Sequence, residues 1–156
     1  MILKNIEKLA VDANPLLSAI IGGQARTVFL NAQKTTFYTT LFNYKEVEKY
    51  IPILSTTRKI PIEDLYFAFS ILPLSVCDED FYKNKIKQAK RMIEKRDPAD
   101  VHPAPQRSRG VNLTPESWCR VHLLALGLKL GCPVWSNDKD FDGLGIKVYR
   151  TLDLIR

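Results

Sequence analysis

Four carboxylates stand just after short apolar runs or near the starts of helical ones: Asp12, Glu46, Asp100 and Asp138, with Asp97 and Asp140 as near neighbours. If they converge, two unit charges about 5 Å apart at an effective dielectric near 20 repel by roughly 3 kcal/mol. Four such groups stay ionised together only with a cation among them, and oxygen ligands select hard divalent ions, Mg²⁺ or Mn²⁺. An ion of that kind lowers the pKa of a bound water and stabilises charge on a phosphate, as phosphodiester hydrolysis requires. Taken singly, each acid also fits a plainer role. Asp12 before Asn14 and Pro15 suits turn chemistry, Glu46 a solvated helix face and Asp138 a simple turn.

The elements that must position these acids centre on one stretch. An apolar, helix-like run from Val121 to Leu130 ends at Gly131, and Pro133 to Trp135 then reads as a buried strand running into Asp138 and Asp140. Helix followed by strand suits a parallel α/β sheet, in which ligands bind beyond the carboxyl ends of the strands. Leu9 to Val11 reads as a strand ending in Asp12, with Asn14 as N-cap and Pro15 as the first residue of a helix to Ile21. A second helix is expected over Gln24 to Gln33 and a strand over Thr36 to Thr40, after which Asn43 caps a helix carrying Glu46. A helix from Pro61 to Leu72 and a strand over Leu74 to Cys77 follow, and Asp78 caps one long basic helix from Glu79 to about Lys95. Pro103 to Gly110 reads as an irregular loop, and Thr114 with Pro115 starts a helix that runs to Leu130. Ile146 to Tyr149 is the last strand, closed by Thr151 to Ile155.

A chain of 156 residues with 46% hydrophobic content builds one domain with its own core and leaves little room for two. It contains no apolar run near the roughly 20 residues that cross a bilayer and lacks the pattern of a signal peptide at its start, so a soluble, cytoplasmic protein is expected. Cys77, Cys119 and Cys132 share no CxxC spacing, which argues against a disulfide framework and a zinc site. A net charge of +6 favours a polyanion or an acidic protein partner over a neutral metabolite, although the run Lys83, Lys85, Lys87, Lys90, Arg91, Lys95 and Arg96 also fits a solvated helix face. There is no Gly-rich phosphate loop or dinucleotide fingerprint, which leaves a flavodoxin-like phosphotransfer domain a distant alternative.

The order of motifs resembles the PIN domain, particularly the VapC-like toxins of prokaryotic toxin–antitoxin pairs. The resemblance rests on Val11 Asp12 Ala13 Asn14 Pro15 Leu16 Leu17, on Asn43 Tyr44 Lys45 Glu46 Val47, on Arg96 Asp97 Pro98 Ala99 Asp100 Val101, and on Leu123 to Gly131 running through Trp135 Ser136 Asn137 Asp138 Lys139 Asp140 Phe141. It implies a three-layer α/β/α fold with a central parallel sheet of about five strands. It also implies a carboxylate site for Mg²⁺ or Mn²⁺, and endoribonuclease activity on RNA held in check by a cognate antitoxin. Position by position, Asp12, Glu46, Asp100 and Asp138 match the acids, with Asp12, Asp100 and Asp138 as metal ligands. Asn14 matches the small polar residue beside the first acid, and Asp97 and Asp140 are accessory. A homodimer is expected on the same ground.

One segment departs from the family pattern. Deleting residues 102 to 121 joins Asp100 Val101 directly to His122 Leu123, and the dipeptide Val-His stands at both edges, at Val101 His102 and at Val121 His122. This points to a 20-residue insertion within a single domain. Counting back from Leu123 then puts Arg120 where the third acid belongs, so that a guanidinium occupies the acidic pocket and competes with metal. Alternatively the segment bulges out and leads Asp100 back to the site, its loop closure costing on the order of 2 to 3 kcal/mol. Glu116 is expected to pair with Arg120 four residues on, and His102 and His122 to be structural. Two functions follow from the alternatives: a metal-dependent endoribonuclease, or a PIN-like binding module whose nuclease site the segment has impaired.

Overall fold

The computed structural model describes residues 2–96 and 115–156. Asp97, Asp100, His102, the loop over Pro103 to Gly110, Thr114 and the side chain of Glu116 therefore lie outside the described residues.

Strand β1 (Lys8–Val11) runs into α1 (Ala13–Ile20), and α2 (Gln24–Asn31) brings the chain back to β2 (Thr36–Thr40). Helices α3 (Leu41–Arg58) and α4 (Ile62–Ser70) precede β3 (Leu74–Cys77), and the chain continues through α5 (Glu79–Tyr82) and α6 (Ile86–Arg96). After residue 114 come α7 (Pro115–Leu130), β4 (Val134–Trp135), β5 (Val148–Tyr149) and α8 (Thr151–Ile155). The five strands form one sheet in the order β3-β2-β1-β4-β5. Every pairing is parallel, with Val11 opposite Trp135 and Ala10 opposite both Tyr38 and Val134. The expected three-layer α/β/α arrangement is therefore the observed one.

Both faces of the sheet are covered, and the period-two alternation of the strands shows how. Leu9, Val11 and Trp135 point into one apolar cluster with Phe29 and Phe37, whereas Ala10 and Val134 point into the other with Leu123, Leu124 and Leu126. In the first, the Phe29 ring lies 4.6 Å from Phe37 and 5.1 Å from Trp135. The Trp135 indole spends its one polar group on Thr151, Nε1 donating to Oγ1 at 3.1 Å. In the second, α7 is buried on every side from Val121 to Leu126, packed between the sheet and α5 and α6. That burial explains why this helix is apolar all round in sequence.

Three local expectations are corrected. The cap of α1 is Asp12, whose Oδ1 accepts from Ala13 N at 2.8 Å, not Asn14. The cap of α3 is Thr40, whose Oγ1 accepts from Asn43 N at 3.0 Å, so the helix begins before Asn43 rather than at it. The long basic helix is broken by a 3₁₀ turn at Lys83–Lys85, and Asp78 makes no side-chain cap to it. In the first two the capping side chain stands at the end of the preceding strand, earlier than the residue expected to cap.

Gly127 is where α7 approaches β4: a Cβ there would lie 2.9 Å from Ile146 Cδ1, 3.2 Å from Val134 Cγ2 and 3.3 Å from the Cys132 carbonyl oxygen. We expect Gly127→Val to lose about 1 to 3 kcal/mol by overpacking. Urea unfolding followed by far-UV circular dichroism checks this, with Leu30→Ala on the exposed face of α2 staying within about 0.5 kcal/mol.

Candidate active site

The parallel sheet aims the ends of β1, β2 and β4 at one place. Asp12 is the residue after β1, Asp138 stands three residues after β4, and Glu46 lies in the second turn of the helix that follows β2. On α3 the buried residues Asn43, Val47 and Ile51 face the core, which turns Glu46 and Tyr50 to one side of that stripe. A cleft of about 230 Å³ results, lined by Asp12, Asn14, Glu46 and Asp138 together with Tyr50, Cys119, Arg120 and Phe141. A larger hollow of about 570 Å³ lies at the opposite end of the strands, beside Leu3, Lys4, Asn31 and Gln33, and contains no carboxylate.

Hydrogen bonds fix the acids. Both oxygens of Asp12 accept: Oδ1 from Ala13 N and Oδ2 from the buried Ser136 hydroxyl at 2.6 Å. Ser136 Oγ in turn accepts from Asp138 N at 3.0 Å, so a single serine ties the first acid to the loop that carries the last. Asp138 Oδ1 accepts from Asp140 N at 2.9 Å, and Asn14 Oδ1 accepts from Asn137 N at 3.2 Å. Asn137 is pinned from below, its Nδ2 donating to Thr151 Oγ1 and its Oδ1 accepting from Thr151 N. The remaining wall comes from the start of α7. Cys119 Sγ donates to Glu46 Oε2 at 3.0 Å, and Arg120 Nη2 donates to Asp140 Oδ2 at 2.9 Å with the arginine side chain only 12% exposed.

The Asp12 carboxyl is pushed up to about 6, by removal from water first and then by the negative charges of Asp138 and Glu46, while the bonds from Ser136 and Ala13 pull the other way. The cleft thus raises the cost of a negative charge at its first acid. Its donors are carboxylate oxygens, the chemistry of a hard divalent cation. Among the described residues, however, no three His, Cys, Asp or Glu side chains come together closely enough to hold a metal ion. The described residues alone do not complete a metal site, and Asp100 lies outside them.

The family model of the PIN domain matches residues 10–103 and 120–155. The chain belongs to the PIN domain family. A PIN domain implies a nuclease-type function and a nucleic-acid substrate. Comparison with curated proteins gives no match. No helix among the described residues is long and apolar enough to cross a membrane.

Of the residues expected at the site, Asp12, Asn14, Glu46, Asp138 and Arg120 meet on this PIN cleft, Asp140 stands at its rim bound to Arg120, and Asp97 and Asp100 lie outside the described residues. His122 is away from the acids, buried with its Nδ1 2.7 Å from the Tyr82 hydroxyl. Sequence reasoning missed Ser136, Cys119 and Tyr50. Ser136 carried the one usable signal, a small hydroxyl between a buried strand and an acid.

Because Asp12 binds its proton more tightly folded than unfolded, its contribution to stability is full below about pH 4 and is lost as pH rises through about 6. Asp12→Asn should therefore raise stability by on the order of 2 kcal/mol at pH 7.5 in EDTA, with the gain vanishing near pH 4. Thermal melts across that range check it; an equal gain at both pH values would show that the effect is not one of charge.

Proposed function

We propose that this PIN domain is a metal-dependent endoribonuclease of the toxin type, hydrolysing phosphodiester bonds of RNA at the cleft of Asp12, Glu46 and Asp138. The observation that carries the reading is the meeting of these three acids on one cleft, with Asp12 held as an unfavourable charge. A divalent cation, Mg²⁺ or Mn²⁺, would be held by Asp12 and Asp138 with Asp100 completing the set. Such an ion lowers the pKa of a water and offsets charge on a phosphate. The protein's own part is to hold the acids still: Ser136 aligns Asp12 with the Asp138 loop, Cys119 restrains Glu46, and Asn14 fastens the loop at Asn137. Asp97 and Asp140 are accessory on this reading. A cognate antitoxin and a second copy of the chain are the partners that go with it, and the cytoplasm is its place.

A second reading has one observation behind it: Arg120 lines the same cleft as the acids. On that reading the segment 102–121 is an insertion, in keeping with the family match stopping at residue 103 and resuming at 120. Arg120 then stands in for the third acid and keeps the cleft free of metal, leaving a module that binds RNA or antitoxin without cutting.

The nuclease reading expects the intact chain to cleave a mixed RNA pool in Mn²⁺. EDTA should stop cleavage, and Asp12→Asn should slow it on the order of 100-fold or more. Gel analysis of the pool decides it, alongside calorimetric titration of Mn²⁺ into the intact chain and into Arg120→Gln. No cleavage, together with Mn²⁺ binding only by Arg120→Gln, would replace the nuclease with the binding module.

A further inference from the structure

Helix α6 is amphipathic in an unusual sense: its inner face is apolar and its outer face is almost all cation. Ala89 and Ile93 are buried against α7, whereas Lys87, Arg91 and Lys95, spaced four residues apart, are exposed. That spacing puts the three in one row, rising about 6 Å per step and about 12 Å in all. None of the three forms an ion pair among the described residues, in contrast to Lys83, which lies 3.5 Å from Asp80. Glu94 is the one acid between Ile86 and Lys95. The helix that carries the row packs on α7. Lys90, on the side of α6 next to it, places its Nζ 6.0 Å from the centre of the Trp118 ring, and Trp118 is followed by Cys119 and Arg120 in the cleft wall.

The charges of the cleft give such a row a use. Three carboxylates line the cleft, and each that is ionised repels an incoming phosphate. Until a cation fills the cleft, these acids repel a polyanion, and cations outside the cleft add to its affinity. We infer that Lys87, Arg91 and Lys95 form a backbone track for a single RNA strand leading to the cleft, each cation taking one phosphate. The step along the row is comparable to the phosphate repeat of an extended strand, and a row one helix wide follows one strand. The inference rests on the nucleic-acid reading of the cleft and adds where the strand lies.

The experiment is fluorescence anisotropy of an end-labelled single-stranded RNA, in EDTA so that no cleavage intrudes, from low to moderate salt. The full-length chain is compared with Lys87→Gln/Arg91→Gln/Lys95→Gln and with Lys4→Gln/Lys34→Gln/Lys59→Gln, which removes equal charge from exposed positions elsewhere. Loss of three phosphate contacts should make the slope of log affinity against log salt shallower by about 2 for the first variant. Its affinity should fall about tenfold near 100 mM salt, with the second variant staying within about threefold of the intact chain. Equal losses in the two variants, or no change of slope in the first, overturns the track. So does a row that holds polyglutamate and not RNA, which would make it a protein docking face. Hydrolysis of bis(p-nitrophenyl) phosphate by the intact chain in Mn²⁺ reads the cleft alone, so the nuclease reading and the track fail on different measurements.

Discussion

Like charges brought together at the carboxyl ends of parallel strands are the constraint on which the rest of this structure turns. β1 lies at the centre of the sheet with β2 and β4 on either side, so Asp12, the α3 helix and the Asp138 loop cannot avoid one another. Asp12 shows its cost in a raised proton affinity, set first by removal from water and only then by the charges of Asp138 and Glu46. What keeps it standing is a set of bonds that point donors at the acids: Ala13 N and Ser136 Oγ toward Asp12, Asp140 N toward Asp138, the Cys119 thiol toward Glu46. A domain whose net stability is on the order of 10 kcal/mol gives up a noticeable part of it to hold such a cleft. The apolar layers on both faces of the sheet, with Trp135 and Phe37 in one and Leu123 to Leu126 in the other, supply the rest.

How much of this was legible in the sequence follows from the range of each interaction. Strands β1 to β3 and helix α7 came through because their apolar runs are long or β-rich, and Gly131, at φ +63°, marks the end of α7 by its left-handed backbone. The starts of α1 and α3 did not, since Asp12 and Thr40 cap them from strand-end positions where they also read as something else. The break at Lys83–Lys85 was hidden by a uniformly basic composition. Asp12, directly after β1, and Asp138, three residues after β4, line one cleft because the parallel topology brings those strand ends together. Ser136 bonds to a partner 124 residues away and Cys119 to one 73 residues away, and no local pattern records either.

The start of α7 puts a cation beside the acids. Residues 104–119 fall outside the family match, yet Cys119 lines the cleft and its thiol donates to Glu46. A guanidinium beside the acids has two consequences that pull against each other. It relieves part of their mutual repulsion, which favours the folded chain without metal, and it removes part of the field that attracts a divalent cation. Asp140 moderates this by holding Nη2 at the rim, directing the charge toward an exposed carboxylate.

A cleft that is negative enough to collect a cation is for the same reason hostile to the strand it would cut. The chain resolves this by separating the two charges in space: the acids lie at strand ends, and Lys87, Arg91 and Lys95 lie on the exposed face of α6. The separation survives screening. With a Debye length of about 8 Å at physiological salt, a cation on the outer face of α6 acts on phosphates that touch it and hardly at all on acids beyond its own neighbourhood. Binding and reaction can then be adjusted independently, one by the cations of α6 and the other by Asp12, Glu46, Asp138 and Arg120. Were the same lysines inside the cleft, each would neutralise an acid instead of a phosphate, as Arg120 does at its rim.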